Sequence, residues 1–352
     1  MAYTTIDNPE LYFQTKTYTG NGSTNAITFD GDQNMQPDFV WIKDRDTSQH
    51  HRLADSVRGV KKNLKSDTTD AENTTDSNDG MASFDSNGFT LTEDNDDHGY
   101  NASGSSQVSW NWKAGTAFSN SAGTNGATLA STGSKNNTAG FSIVSYTGDE
   151  SGTDSVFHGL SQTPEWIIAK PRDVVDNWAL FHGTFSNIQY LFLNTTAAVA
   201  SASSVWNSLP SATVFNIGDN ASVNDDGAMI AYCWNSVKGY SKFGKYEGNG
   251  STNGPVIWTG FKPAFVMQKN VSATQGYQLQ DNKREGYNGD NDLLQPNDSA
   301  AESGVNRVDF LSNGFKVITT DAGQNTSGST YIYMAFAESP FVNSNGVPNN
   351  AR

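Results

Sequence analysis

One seven-residue pattern, written three times, limits what this chain can fold into more than any other feature of its sequence. Pro37, Phe39, Val40 and Lys43 have the spacing of Pro164, Trp166, Ile167 and Lys170, and again of Pro263, Phe265, Val266 and Lys269. Proline has no N–H to give to a ladder and belongs where a strand begins. The aromatic and β-branched residues behind it predict a strand buried on both faces. The lysine is expected to end that strand at the water. Recurrence of the pattern in blocks of about 100 residues predicts a tandem array.

A second recurrence closes each block. Val108, Trp110 and Trp112 alternate like Ile230, Tyr232 and Trp234, and like Ile332, Met334 and Phe336. This period of two predicts a strand with one large apolar face. The opposite face, Ser109 and Asn111, Ala231 and Cys233, or Tyr333 and Ala335, is expected to pack close against another backbone. Ser86-Asn87-Gly88-Phe89 is repeated as Ser312-Asn313-Gly314-Phe315, which predicts type I′ hairpins around Gly88 and Gly314. The middle block keeps only Phe215 near that place. The 33 glycines and the many Asn, Ser and Thr residues favour turns over helices.

The fold class read from these patterns is all-β: three tandem antiparallel β-sandwich, jelly-roll-like repeats, each with a core of its own. The expected boundaries are a leader at 1–12, repeats at 13–116, 141–239 and 240–342, a Gly/Ser/Asn-rich linker with a hairpin option at 117–140, and a mobile tail at 343–352. The polar stretches 67–80, 195–208 and 290–304 read as loops, the second with a short helix as the alternative.

Charge and cysteine content exclude several classes. A formal net charge of -15, without a run of Lys or Arg, argues against nucleic acid as a partner. The single Cys233 sits in an apolar run and reads as a buried structural thiol. The first residues carry no signal-peptide pattern, and no apolar run approaches the ~20 residues of a membrane span.

The motifs as a set are similar to a known family. PDFVWIK at 37–43, DSVRG at 55–59, WNWK at 110–113, GLSQTPEWIIAK at 159–170 with Asn177-Trp178, the run 231–269, DFLSNGF at 309–315 and YIYMAFAESPF at 331–341 resemble repeats of virion structural and tail proteins in tailed, mainly marine, bacteriophages. The resemblance spans 13–342. It implies a particle component of tail-fibre type, located in the virion and assembled in the host cytoplasm. Other virion proteins, a homotrimeric assembly and a host-surface glycan are the implied partners. It brings no catalytic residues.

The search for chemistry agrees with that silence. The five histidines, His50, His51, His98, His158 and His182, have no serine at motif spacing, and no Gly-x-Ser-x-Gly, His-Glu-x-x-His or phosphate loop occurs. No catalytic, cofactor or metal residue is assigned. The acidic stretches 67–80 and 93–101 offer oxygen ligands but lack the calcium-loop spacing, so solvated loops are preferred, with a surface Ca²⁺ as the alternative. Asp55 with Arg58, and Asp281 with Arg284, share one spacing and read as a structural ion pair of the module. Tyr100, Trp178, Trp206 and Tyr287 stand in or beside polar loops and are the candidate glycan contacts. The expected function is a non-enzymatic tail fibre or knob touching the host surface. A capsid decoration protein, a glycan-binding module and, last, a polysaccharide depolymerase are the alternatives.

Overall fold

The computed structural model describes residues 3–73, 80–94, 99–284, 288–289 and 292–349. The first lobe holds β1 (Phe13–Thr19), β2 (Asn25–Thr28), β3 (Phe39–Asp44), β4 (Arg52–Asp55), β5 (Met81–Asp85), β6 (Gly88–Leu91) and β7 (Ser106–Trp112). A hairpin, β8 (Thr116–Asn120) and β9 (Ser131–Asn136), follows. The second lobe holds β10 (Phe141–Thr147), β11 (Asp154–Phe157), β12 (Trp166–Pro171), β13 (Ala179–His182), β14 (Gln189–Phe192), β15 (Ala200–Ser201), β16 (Val214–Ile217), the one-turn helix α1 (Ala221–Asn224) and β17 (Ala228–Trp234). The third holds β18 (Ser241–Glu247), β19 (Val256–Trp258), β20 (Phe261–Asn270), β21 (Gln278–Asp281), β22 (Val308–Leu311), β23 (Gly314–Val317) and β24 (Thr330–Pro340). The fold is all-β, as its composition predicts.

Each lobe repeats one inner sheet. The strand orders are β1-β7-β3-β4, β10-β17-β12-β13 and β18-β24-β20-β21. The register coincides as well: Trp112 faces Phe13 and Phe39, Trp234 faces Phe141 and Trp166, and Phe336 faces Ser241 and Phe265. Pro37 and Pro164 stand just before their strands, whereas Pro263 lies inside β20 at a break in register. A proline whose missing N–H falls at a bulge removes no ladder bond.

The two faces of each closing strand have different neighbours, and in the third lobe the small one packs against another sheet, as expected. The small face, with Ala335 or Ala231, packs on the same lobe's outer strands, β2-β6-β5, β11-β16 or β19-β23-β22. The large face meets the other lobes. Phe13 stacks on Phe336 at 5.0 Å, Phe39 on Tyr232 at 4.3 Å, and Trp112 meets Trp234 edge-on at 6.0 Å. One apolar cluster therefore contains residues of all three lobes, and it lies beside smaller outer cores that the first and third lobes keep to themselves. A sheet face this apolar must be buried against another layer, and here three such faces enclose one another.

Further corrections follow from the chain path. Residues 117–140, read as a linker with a hairpin option, belong to the β8–β9 hairpin, which is no free linker because it adds to β10 and extends the second sheet. No helix occurs at 195–208, where β15 is found. The segment read as a mobile tail turns back at 343–347, and Ser344 binds Asp7 of the leader. The hairpin turns are Ser86-Asn87 and Ser312-Asn313, none of them left-handed, so they are not type I′. Positive φ falls instead on Gly88 (117°) and Gly314 (153°), which open the next strands.

Candidate functional site

The lysine that ends each repeated pattern does not reach water. Lys43, Lys170 and Lys269 are fully buried, which corrects the sequence reading. Each ammonium donates to carbonyl oxygens: Lys43 to Asp44 (2.6 Å) and Thr47, Lys170 to Pro171 (2.9 Å) and Val174, Lys269 to Gln275 (2.6 Å) and Thr196. Burial pulls each pKa down to about 8.

The polar stretches between strands are the joints of the ring. Glu72 of the first lobe donates its N–H to the Arg172 carbonyl of the second (2.7 Å), Glu302 of the third to Arg45 of the first (2.8 Å), and Val199 of the second to Val271 of the third (3.0 Å). The residue before each fourth strand makes a matching contact. His51 meets the Gln295 carbonyl at 3.0 Å, Trp178 donates to Lys65 at 2.7 Å, and Tyr277 donates to Phe192 at 3.3 Å. Each lobe thus grips one neighbour and is gripped by the other.

Two of the three joints are ionic. Between the second and first lobes, Arg172 binds Glu72, Glu72 binds Arg58, Arg58 binds Asp55, and Asp55 accepts from Tyr232 at 2.7 Å. Between the first and third, Arg45 binds Glu302, Glu302 binds Arg284, Arg284 binds Asp281, and Asp281 accepts from Trp110 at 3.0 Å. The pairs Asp55–Arg58 and Asp281–Arg284 lie within these ladders, both members buried. In the third joint the same five positions are Val271, Val199, Phe185, His182 and Met334, by register. Where the other two joints carry an ionic chain, this one has four apolar residues and a histidine, and a buried ion network can be replaced by packed uncharged side chains at little cost. Burial, opposed by the Tyr333 backbone, takes His182 down to about 3 and keeps its ring neutral there.

The candidate glycan contacts are not at the surface. Tyr100, Trp178 and Trp206 are each at most 2 % exposed, and the indole N–H groups of Trp178 and Trp206 are bound to carbonyls. A ring enclosed on both faces has none to offer a sugar. Tyr287 lies outside the described residues. The exposed tryptophan is Trp258, 63 % accessible, on β19, where Val256 is also exposed and Ile257 buried. Alternation of outward and inward residues in 256–258 is the signal that finds it.

Among the described histidines, His51, His158 and His182 are buried, burial holding His51 well below the usual range and His158 at about 4. His50 pairs with Asp67 at 2.6 Å. Cys233 is buried, and burial pushes its thiol up. Asp67 and Asp94 of the acidic stretches accept from the backbone N–H groups of His51 and Asn101. No group of three or more metal-ligating side chains occurs among the described residues, and 74–79 and 95–98 lie outside them. Among the described residues, no helix is long and apolar enough to cross a membrane.

No curated protein and no solved structure matches this chain. A family model does, over residues 8–340, a single match that spans all three lobes and their joints. The chain belongs to the family described as a domain of unknown function, DUF7483.

Proposed function

We propose that this chain is a non-enzymatic structural component of a bacteriophage particle, a compact tail fibre or knob that contacts the host surface. The observation that carries the reading is the closed ring of lobes, joined by buried ladders that fix one lobe on the next. Such a body is pre-organised, and a surface that binds without ordering itself retains more of its contact energy. The likeness of 37–43, 159–170, 231–269 and 331–341 to repeats of virion structural and tail proteins supplies the particle. The buried histidines and thiol support a role without nucleophilic chemistry. Partners in this reading are other virion proteins and, through exposed loops, a host glycan, with a homotrimer as its assembly.

Antibody raised against the purified chain and applied to intact particles under the electron microscope tests it. Label on the tail, with adsorption to host cells blocked, is the expected result. Label on the head would move the protein to the capsid-decoration reading, and unlabelled particles would remove it from the virion.

A further inference from the structure

One corner of the inner sheet is tied differently in the third lobe. The residue after each repeated proline is Asp38, Glu165 or Ala264, and its carbonyl accepts the N–H of Ser56, Gly183 or Asn282, just past the fourth strand. In the first lobe the Asp38 carboxylate holds this corner, accepting from Ser56 Oγ at 2.7 Å and from the Ala114 N–H at 2.9 Å. In the second, Glu165 accepts from the Ser236 N–H at 2.7 Å. Alanine at 264 removes that carboxylate, and Glu338 of β24 brings another to the same corner. Its Oε1 accepts from Lys262 Nζ of β20 at 2.6 Å, and its Oε2 from Asn282 Nδ2 at 2.7 Å. By register the places of Lys262, Asn282 and Glu338 are held by Gln36, Ser56 and Ala114 in the first lobe and by Thr163, Gly183 and Ser236 in the second. The fold itself therefore asks for no lysine, carboxylate and amide here. Asn282 is 8 % exposed, and its Oδ1 is buried without a hydrogen-bond partner among the described residues.

From this geometry we propose that Lys262 and Asn282 join in an intramolecular isopeptide bond, with Glu338 as the catalytic residue. A carboxylate that touches both a primary amine and a primary amide has the two proton contacts that amide exchange needs. Glu338 takes a proton from the Lys262 ammonium, and the freed Nζ lone pair attacks Asn282 Cγ, pushing the carbonyl π pair onto Oδ1. Glu338 passes its proton to Nδ2 and accepts the one that the newly bonded Nζ must shed. The pair on Oδ1 then re-forms the carbonyl, the Cγ–Nδ2 bond breaks, and the last proton goes to the departing ammonia, which leaves as ammonium. One Nζ–Cγ bond has replaced one Cγ–Nδ2 bond, with no oxidant and no cofactor. Three neighbouring strands hold the reacting groups together, which supplies the proximity that free amines and amides lack. A cavity of about 300 Å³, lined by Phe13, Ala264, Asn282, Ala337 and Glu338 among others, lies against the set and receives the ammonia. The bond ties β20 to the residue after Asp281, which meets Trp110 in the joint with the first lobe, and it closes the loop 262–282 in the unfolded chain as well. The inference stands independently of where on a particle the chain resides.

Mass spectrometry of the full chain, folded, purified and then denatured, tests it. The mass is expected to lie about 17 Da below that of the sequence, the loss of one ammonia, with a branched peptide joining Lys262 to Asn282 in a protease digest. Lys262→Arg, which keeps the charge without the nucleophile, and Glu338→Gln, which keeps the shape without the base, should each restore the full mass. A full-mass unaltered chain overturns the proposal, whether or not either variant folds. So does a loss of ammonia that Lys262→Arg leaves in place, as a succinimide at an Asn-Gly pair would. A branched peptide that still forms in Glu338→Gln overturns the role given to Glu338.

Discussion

Arg58 and Arg284 have no accessible side-chain surface, and each is held by an aspartate three residues back, a glutamate and a backbone carbonyl. Removing one partner of such a set leaves a buried charge uncompensated. Asp281→Asn keeps the shape and loses the charge, and is expected to lower stability by about 3–5 kcal/mol, read as a lower urea midpoint at unchanged slope. The same groups set two pH responses. Burial tends to raise Glu72 and Glu302, but Arg172 with Arg58, and Arg45 with Arg284, outweigh it and hold both carboxyls below the usual range. Their contribution is present above the unfolded value of 4.5 and is lost as pH falls through the lower folded one. Midpoints should therefore drop in acid, less steeply when both glutamates are changed to glutamine. The lysines act in the same direction, in a window at higher pH. With folded values of about 8 against 10.5 unfolded, the folded chain releases protons first, so their contribution makes stability rise with pH across that window. Replacing Lys43 by methionine should flatten the rise. Asp-x-x-Arg is legible in the sequence because its partners are close in the chain; Glu72 and Glu302 lie 14 and 18 residues beyond their arginines, in stretches whose composition says only that they are polar.

Strands were readable here, and what covers them was not. The alternation in 108–112, 230–234 and 332–336 gives two faces to each closing strand. It cannot say that the large one meets another lobe, because period reports direction and not partner. Trp178 shows the cost of judging exposure from chain neighbours. It adjoins Asp176 and Asn177 in sequence, yet in space it is the lobe's donor to Lys65, as His51 and Tyr277 serve theirs. Trp178→Phe should strand the Lys65 carbonyl and cost about 1–3 kcal/mol by denaturation, with sugar binding by the chain unaltered. The glycines were legible for a related reason, since their signal is local. A Cβ on Gly88 or Gly314 would stand 2.0 Å from the Ile27 or Ile257 carbonyl oxygen of the adjoining strand. Gly314→Ala must push β19 off β23 and strain a positive φ, so a loss above about 1 kcal/mol is expected in thermal denaturation.

For the molecule as a whole, the decisive quantity is how much apolar surface a lobe would expose if it were alone. Phe265, Met267, Met334 and Phe336 of the third lobe are enclosed within a cluster that also holds Phe13, Trp112, Phe141 and Trp234 of the other two. An isolated segment 240–342 would keep its outer core, with Ile257, Phe310, Phe315 and Ala335, but would turn its larger face to water. Each fully exposed side chain of that kind forfeits about 1.5–3 kcal/mol, so a handful cancels the whole 5–15 kcal/mol by which a domain is stable. Segment 240–342 expressed by itself is therefore expected to be unfolded or aggregated. The full chain, although three times the size of a common two-state domain, is expected to unfold in one calorimetric transition, with its calorimetric and van't Hoff enthalpies in agreement. Trp112→Ala, which touches Phe336 and Trp234 across both joints of the first lobe, should lower that single transition instead of splitting it. Three resolved transitions, or a soluble cooperative fragment 240–342, would mean that the lobes own their stability separately and that the shared aromatic cluster is only contact.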